Sequence, residues 1–147
     1  MTTDANCPLC TTPLPGALLS TDDWTVIDAC DADYPAFTRV VWHSHVKEMT
    51  DLSPDARTQL MAVVFTVESV MREILQPDKM NLACLGNQVP HIHWHVIGRW
   101  QDDQAFPASV WTASADTGAA KARRQAIQSR LNDYHQTLIQ RLTETFA

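Results

Sequence analysis

Apolar residues recur at steps of three and four in two stretches of the chain, which is the period of a helix buried along one face. The first stretch contains Leu60, Val63, Val67, Val70 and Ile74. The second contains Ile127, Leu131, Tyr134, Leu138 and Leu142. Ser53 and Pro54 suit the cap and the first turn of a helix, and Pro77 cannot continue one. We therefore predict a central helix from Pro54 to Leu75 and a C-terminal helix over 119–147.

Short runs rich in β-branched and aromatic residues predict strands. They are WTVID at 24–28, RVVWH at 39–43, NLACL at 81–85 and HIHWHVIGRW at 91–100. Residues 11–23 read as a loop or irregular strand and residues 101–118 as a loop, because proline, glycine and polar residues interrupt both. Strands and helices do not alternate strictly. The pattern predicts an α+β fold with an antiparallel sheet of about five strands.

Length and charge limit the classes of function. The 147 residues suit a single domain over 1–147, and the net charge of −6 argues against general nucleic-acid or lipid binding. The chain has neither an apolar run of about 20 residues nor a basic, apolar leader, so we expect no membrane span and a cytoplasmic location. In that reducing compartment, the four cysteines are not expected to form disulfides.

Three histidines alternate with apolar residues in the last predicted strand. Because successive side chains of a strand point to opposite faces, His91, His93 and His95 are expected to share one face. Such a row can be a solvated polar face, a metal site or a nucleophile with its supporting groups. No Asp or Glu lies between His91 and Trp100, which favours the nucleophile.

The segment HIHWHVI resembles the signature of the histidine triad (HIT) family of nucleotide hydrolases and transferases, His-x-His-x-His followed by two apolar residues. Gly86 before it, Gly98-Arg99 within the strand and His45 ahead of the central helix also fit the family pattern. The resemblance covers a core of about residues 7–100. It implies a HIT-like fold and a homodimer.

The resemblance also implies roles for the triad. His93 would attack the α-phosphorus of a purine nucleotide, His95 would bind a phosphate oxygen and His91 would orient the site. The implied activity is that of a nucleotide phosphoramidase or hydrolase with a nucleotidyl-histidine intermediate and no cofactor required for catalysis. A dinucleoside polyphosphate hydrolase, a nucleotide-binding module with little turnover and a metal-dependent hydrolase are the alternatives.

Three further residues are candidate substrate contacts. Asp28 matches the family's ribose-binding position or simply ends its strand at a turn. Asn87 and Gln88 stand where relatives often carry a glutamine and a hydroxyl residue, so they contact substrate or form a hairpin turn. Because this departure lies on the leaving-group side, the sequence leaves the leaving group open.

The motif Cys7-Pro8-Leu9-Cys10 has the spacing of half a zinc site. A plain thiol pair and a redox dithiol are the alternatives. Some HIT relatives complete a structural zinc site with a histidine before the central helix and the first triad histidine. That resemblance implies Cys7, Cys10, His45 and His91 as ligands. His43 competes with His45 for the third position but matches no position of the family pattern.

Other residues are given ordinary roles from the pattern alone. We expect Arg99 to be exposed at the end of its strand, with a place near the phosphate as the alternative. We expect His135 to lie on the surface of the C-terminal helix. Trp100 and Trp111 either stack on substrate or pack in a loop or interface.

Overall fold

The computed structural model describes residues 1–11 and 13–146. Five strands and two long helices follow one another as β1 (Ala17–Ser20), β2 (Trp24–Asp28), β3 (Thr38–Trp42), α1 (Pro54–Leu75), β4 (Lys79–Ala83), β5 (His93–Arg99) and α2 (Gly118–Phe146). Short 3-10 turns occupy Pro8–Cys10 and Met49–Asp51. This confirms the predicted α+β fold with a five-stranded sheet and two helices.

All neighbouring strands of the sheet are antiparallel, in the order β1-β2-β3-β5-β4. The histidine strand β5 therefore lies inside the sheet, between β3 and the edge strand β4. In the register, His93 lies opposite Val41, and His95 lies between Arg39 on one side and Ala83 on the other. Two flanking ladders hold the backbone of β5 in place.

Helix α1 begins and ends where the sequence predicts. The Ser53 hydroxyl accepts a hydrogen bond from the Ala56 N–H at 3.2 Å, and Pro54 occupies the first turn. At the other end, Gln76 adopts a left-handed conformation with φ 51° just before Pro77.

The sheet has two different faces. The helix face packs against α1 and α2 in one hydrophobic cluster, to which β5 and the residue before it contribute Ile92, Trp94 and Val96. The triad face is the opposite one, and it carries His93, His95 and Arg99 from β5. The N-terminal segment and the loop over 101–117 lie along this second face, because Leu9 packs with Val41 and Val110 packs with Ile97.

Some predicted boundaries differ from the structure. Strand β4 starts two residues earlier than predicted, and β5 starts at His93 instead of His91. The Ile92 N–H donates to the Val46 carbonyl, which belongs to the segment after β3, so the regular ladder begins one residue later. Within the described residues, none of the helices is long and apolar enough to span a membrane. That 1–147 form a single domain stays a prediction.

Candidate active site

His93 is half-buried on the triad face, and its tautomer is set by its own backbone neighbour. Its Nδ1–H donates to the His91 carbonyl oxygen at 2.6 Å, which leaves the lone pair on Nε2. Burial lowers the pKa of His93, the hydrogen bond to His91 partly opposes this, and the Arg39 charge lowers the pKa further. The arrangement yields a neutral imidazole with a free nitrogen at neutral pH.

His95 lies beside His93, with ring centroids 4.8 Å apart and ring planes at 77°. Burial lowers the pKa of His95 to about 4, and the charges of His93 and Arg39 act in the same direction. Its ring meets the edges of Phe37 and Trp111 at 5.5 and 5.2 Å between centroids. A neutral imidazole in this position keeps one N–H that can donate to an anionic oxygen.

The predicted zinc ligands come together at the start of β5. Ligand atoms of Cys7, Cys10, His45 and His91 all lie within 4.8 Å of one another. The Nδ1 atoms of His45 and His91 are 3.2 Å apart, and the Cys7 sulfur lies 3.4 Å from His91 Nδ1. A tetrahedral ion with zinc–nitrogen and zinc–sulfur distances of about 2.0–2.3 Å produces ligand separations of this size.

His91 is oriented for such a site by the sheet. Its Nε2–H donates to the Trp42 carbonyl at 2.5 Å, so Nδ1 carries the lone pair that faces the cysteines. His43 is directed elsewhere, because its Nε2 lies 2.7 Å from the Thr25 hydroxyl and its Nδ1 lies 3.0 Å from the Asp22 carbonyl oxygen. The structure therefore favours His45 over His43 as the fourth candidate ligand.

Asp28 does not join the triad. It alternates with Trp24 and Val26 along β2, so its carboxylate lies towards the helix face. One carboxylate oxygen accepts from the Cys30 N–H at 2.7 Å, and the other lies 3.4 Å from His135 Nε2. The prediction that His135 is a surface residue is wrong. Helix α2 packs the His135 imidazole against the Asp28 carboxylate, and the His135 side chain is only 19% exposed. The ribose role of Asp28 stays a prediction.

Asn87 and Gln88 are exposed in the loop between β4 and β5. Gly86 opens this loop with φ 69°, a conformation that glycine adopts without strain. The loop also borders a cavity of about 320 Å³, whose lining includes His91 but neither His93 nor His95. A substrate contact by Asn87 or Gln88 stays a prediction.

Arg99 is not the exposed residue that its place near the strand end suggests. It is 1% exposed, and its guanidinium bonds Asp103 through Nε at 2.7 Å and Nη2 at 3.1 Å. Further bonds reach Asn81 Oδ1 at 2.9 Å and the Ala108 carbonyl at 2.7 Å. The prediction that Arg99 is exposed was wrong, because the loop over 101–117 folds back across the end of β5 and covers it.

The returning loop brings Trp111 to the triad. Trp111 is 51% exposed, yet its ring contacts both His95 and Phe37. Trp100 is buried and packs in the core of the helix face. Of the two tryptophans considered from sequence, only Trp111 reaches the triad.

Sequence reasoning missed Arg39. The residue stands on β3 directly opposite His95, within reach of both catalytic candidates. The one available signal was a charged residue at the start of the run RVVWH, on the face opposite to that of Val40 and Trp42, which pack in the core.

Comparisons with known proteins identify the family of the chain. Residues 16–102 match the HIT domain. A histidine triad protein from Bradyrhizobium japonicum is 29% identical, with TM-score 0.61, covering 78% of this chain and 89% of that one. A histidine triad protein from Marinobacter aquaeolei is 27% identical, with TM-score 0.65 and coverage of 83% and 89%.

A zinc-bound histidine triad family protein from Mycobacterium smegmatis has the same fold, at 22% identity and TM-score 0.58, with coverage of 84% and 94%. Among curated proteins, none matches the chain. Because the HIT domain spans more than half of the sequence and contains the triad strand, the chain belongs to the HIT domain family.

Proposed function

We propose that the protein hydrolyses nucleotide derivatives at the α-phosphate through a covalent bond to His93, as a phosphoramidase. The observation that carries this proposal is the hydrogen bond from His93 Nδ1–H to the His91 carbonyl, which leaves Nε2 as a free nucleophile. The nucleotide as substrate rests on membership of the HIT family. A purine base rests on that resemblance alone.

In the first step, His93 Nε2 forms a bond to the α-phosphorus. The bond from phosphorus to the amine or phosphate leaving group breaks, and the leaving group keeps the electron pair and takes up a proton from solvent. His93 then carries positive charge, which the His91 carbonyl stabilises through the Nδ1–H hydrogen bond. An N–H of His95 donates to a phosphate oxygen as negative charge develops.

In the second step, a water oxygen attacks the same phosphorus. The phosphorus–nitrogen bond to His93 breaks, its electron pair returns to Nε2, and the water releases a proton to solvent. The product is a nucleoside monophosphate. Each imidazole is back in its starting state, so the residues of the chain complete the cycle.

The test is release of AMP from adenosine 5′-phosphoramidate and from diadenosine polyphosphates, followed by chromatography. We expect His93→Ala to lower the rate by at least about 10³-fold because it removes the nucleophile. His43→Gln is the matched control, since His43 is an imidazole just after β3 that bonds Thr25 and lies outside the triad. The control is expected to keep its activity.

The two substrates also separate the alternatives. Faster release from the polyphosphates identifies a dinucleoside polyphosphate hydrolase of the same mechanism. A protein that binds AMP but releases none from either substrate is a nucleotide-binding module, and the hydrolase proposal is then wrong. Activity that survives in His93→Ala and is lost with a chelator supports the metal-dependent alternative.

We propose that Cys7, Cys10, His45 and His91 hold a structural zinc ion. The ligand atoms have the spacing of a closed tetrahedral site, and Trp42 orients His91 from behind. Zinc would tie the N-terminal segment to the start of β5 and contribute to folding. The Mycobacterium smegmatis protein is described as zinc-bound, which supports the same chemistry here.

Elemental analysis of the purified protein tests the zinc proposal. We expect about one zinc per chain, lost in Cys10→Ser and retained in Cys30→Ser, because Cys30 is exposed and outside the cluster. The melting temperature is expected to fall when a chelator removes the metal. A native protein that is purified without zinc and does not gain stability when zinc is added contradicts the proposal.

We also propose a homodimer, as the family resemblance implies. Phe65 on α1 and Leu85 just after the edge strand β4 are each 53% exposed, which is costly for side chains left in water. Light scattering on a sizing column tests this. We expect a dimer that Phe65→Asp shifts towards monomer, and a native protein that stays monomeric would contradict it.

A further inference from the structure

Arg39 brings a cation into the triad. It lies on β3 in register with His95 of β5 and with Ile27 of β2. Its neighbours along the strand, Val40 and Thr38, face the helices, so the Arg39 side chain shares the face of the triad. Adjacent strands lie about 4.8 Å apart, which places the guanidinium within a side-chain length of the histidines.

The Arg39 guanidinium lacks a counter-charge in the part of the chain that the structure describes. Among those residues, no carboxylate lies within ion-pair distance, and the buried Nε has no hydrogen-bond acceptor. The guanidinium instead lies over the Phe37 ring, at 5.3 Å from the centroid. Buried polar atoms ordinarily have a hydrogen-bond partner, so the unpaired Nε of this partly buried arginine is available to a ligand.

The Arg39 cation is not part of a basic surface, and the two histidines do not neutralise it. The charge lies on a protein of net charge −6, so it does not belong to a diffuse basic surface. An imidazole never carries negative charge, so neither His93 nor His95 can balance the Arg39 cation. A ligand anion over the triad would satisfy the guanidinium.

We propose that Arg39 binds a phosphate oxygen of the ligand at the triad and thereby makes the site select phosphate monoesters over uncharged nucleosides. This inference rests on the proposed nucleotide function and adds a specificity-determining residue to it. A guanidinium suits the role because its planar fork donates two parallel hydrogen bonds to a phosphate. Phe37 supports the fork from one side and limits its conformations.

Binding of three probes by calorimetry tests the inference without turnover: AMP, adenosine and inorganic phosphate. We expect Arg39→Gln to weaken AMP binding at least about tenfold while changing adenosine binding less than about twofold. Arg39→Lys, which retains the charge but not the fork, is expected to recover part of the loss. Weaker binding of inorganic phosphate in Arg39→Gln would place the contact on phosphate itself.

Arg130→Gln is the matched control. Arg130 lies on α2 in an exposed pair with Asp133, and its loss makes the same change in net charge far from the triad. We expect the control to leave AMP affinity unchanged. An equal effect of the two substitutions would reduce the role of Arg39 to long-range charge and overturn the inference.

The remaining outcomes separate this inference from the proposed function. An Arg39→Gln protein that loses AMP and adenosine affinity equally, or loses neither, overturns the inference. If the Arg39 inference fails in this way but His93→Ala still abolishes AMP release, the proposed hydrolase activity remains supported. A native protein that binds no AMP overturns both proposals.

Discussion

Two arginines on the triad face of the sheet have opposite surroundings. Arg99 is 1% exposed and donates to Asp103, Asn81 and the Ala108 carbonyl. Arg39 finds no such acceptor for its buried Nε among the described residues and lies against an aromatic ring. The fold neutralises the charge of Arg99, whereas the charge of Arg39 is left for the ligand that we propose.

The physical reason is the cost of burying charge. A cation taken out of water without acceptors destabilises the protein, whereas acceptors from several segments offset that cost. The acceptors of Arg99 come from β4 and from the loop over 101–117. Arg99 therefore holds in place the loop that brings Trp111 to His95. The described segments around Arg39 offer its Nε no acceptor, but Arg39 is only partly buried, and we propose that a ligand beside His95 supplies the acceptor.

The largest effect is expected for Arg99→Met. The substitution fills similar volume but leaves Asp103, whose side chain is 6% exposed, without its cation. We expect a loss of about 3–5 kcal/mol in the free energy of unfolding, measured by urea denaturation. Arg130→Met is the control and should cost less than about 1 kcal/mol, because its ion pair is exposed. Equal effects of the two changes would show that Arg99 is not a structural clamp.

A smaller loss is expected for Asp103→Asn, and it should depend on pH. Burial raises the pKa of Asp103, but hydrogen bonds from Arg99 and the backbone outweigh burial, so the pKa is lowered from its ordinary 3.8. A lowered folded-state pKa contributes stability that is present above the unfolded value and lost as pH falls through the folded one. The cost is expected to be about 1–3 kcal/mol at neutral pH.

Denaturation of the native and Asp103→Asn proteins at neutral pH and at acid pH below 3.8 measures this dependence. We expect the native protein to lose its advantage in acid, because protonated Asp103 no longer carries the charge that Arg99 requires. A constant difference between the two proteins at both pH values is the result that contradicts the assignment.

Trp111→Ala should have a weaker effect on stability. The ring is half exposed and loses edge contacts with His95 and Phe37, so about 0.5–1.5 kcal/mol is expected. Thermal unfolding with Trp111→Phe beside it checks the origin, since phenylalanine retains an aromatic edge. If Trp111→Ala and Trp111→Phe have the same melting temperature, the aromatic contacts do not stabilise the loop over 101–117.

The smallest effect on stability is expected for Arg39→Met. The Nε that the substitution removes has no acceptor in the described chain, so the change should stay within about 1 kcal/mol of zero. Urea denaturation beside Arg99→Met tests the comparison directly, since the same substitution is made on the same face of the sheet. A large loss in Arg39→Met would mean that its charge is structural after all.

Much of the fold was predictable because it depends on local rules. The steps of three and four identified both helices, and Ser53 and Pro77 located the ends of α1. The alternation of β5 separated the histidines from Ile92 and Trp94. The grouping of Cys7 and Cys10 with His45 and His91 followed from a family resemblance, and the structure brings these four residues together.

Other features were not predictable because they depend on which segments return to the same place. Arg99 could not be recognised as buried from its own strand, since its acceptors come from Asp103 and Ala108 further along the chain. The contact of His135 with Asp28 requires α2 to cross the end of β2. The importance of Arg39 depends on a strand register that no local pattern sets.

Period and residue type are local properties, and they were enough to predict the histidine strand and the two helices. Which charges are paired and which are free depended on tertiary packing, because the acceptors come from distant parts of the chain. A guanidinium is the same group at positions 39 and 99, and its role follows from the acceptors that long-range folding places around it.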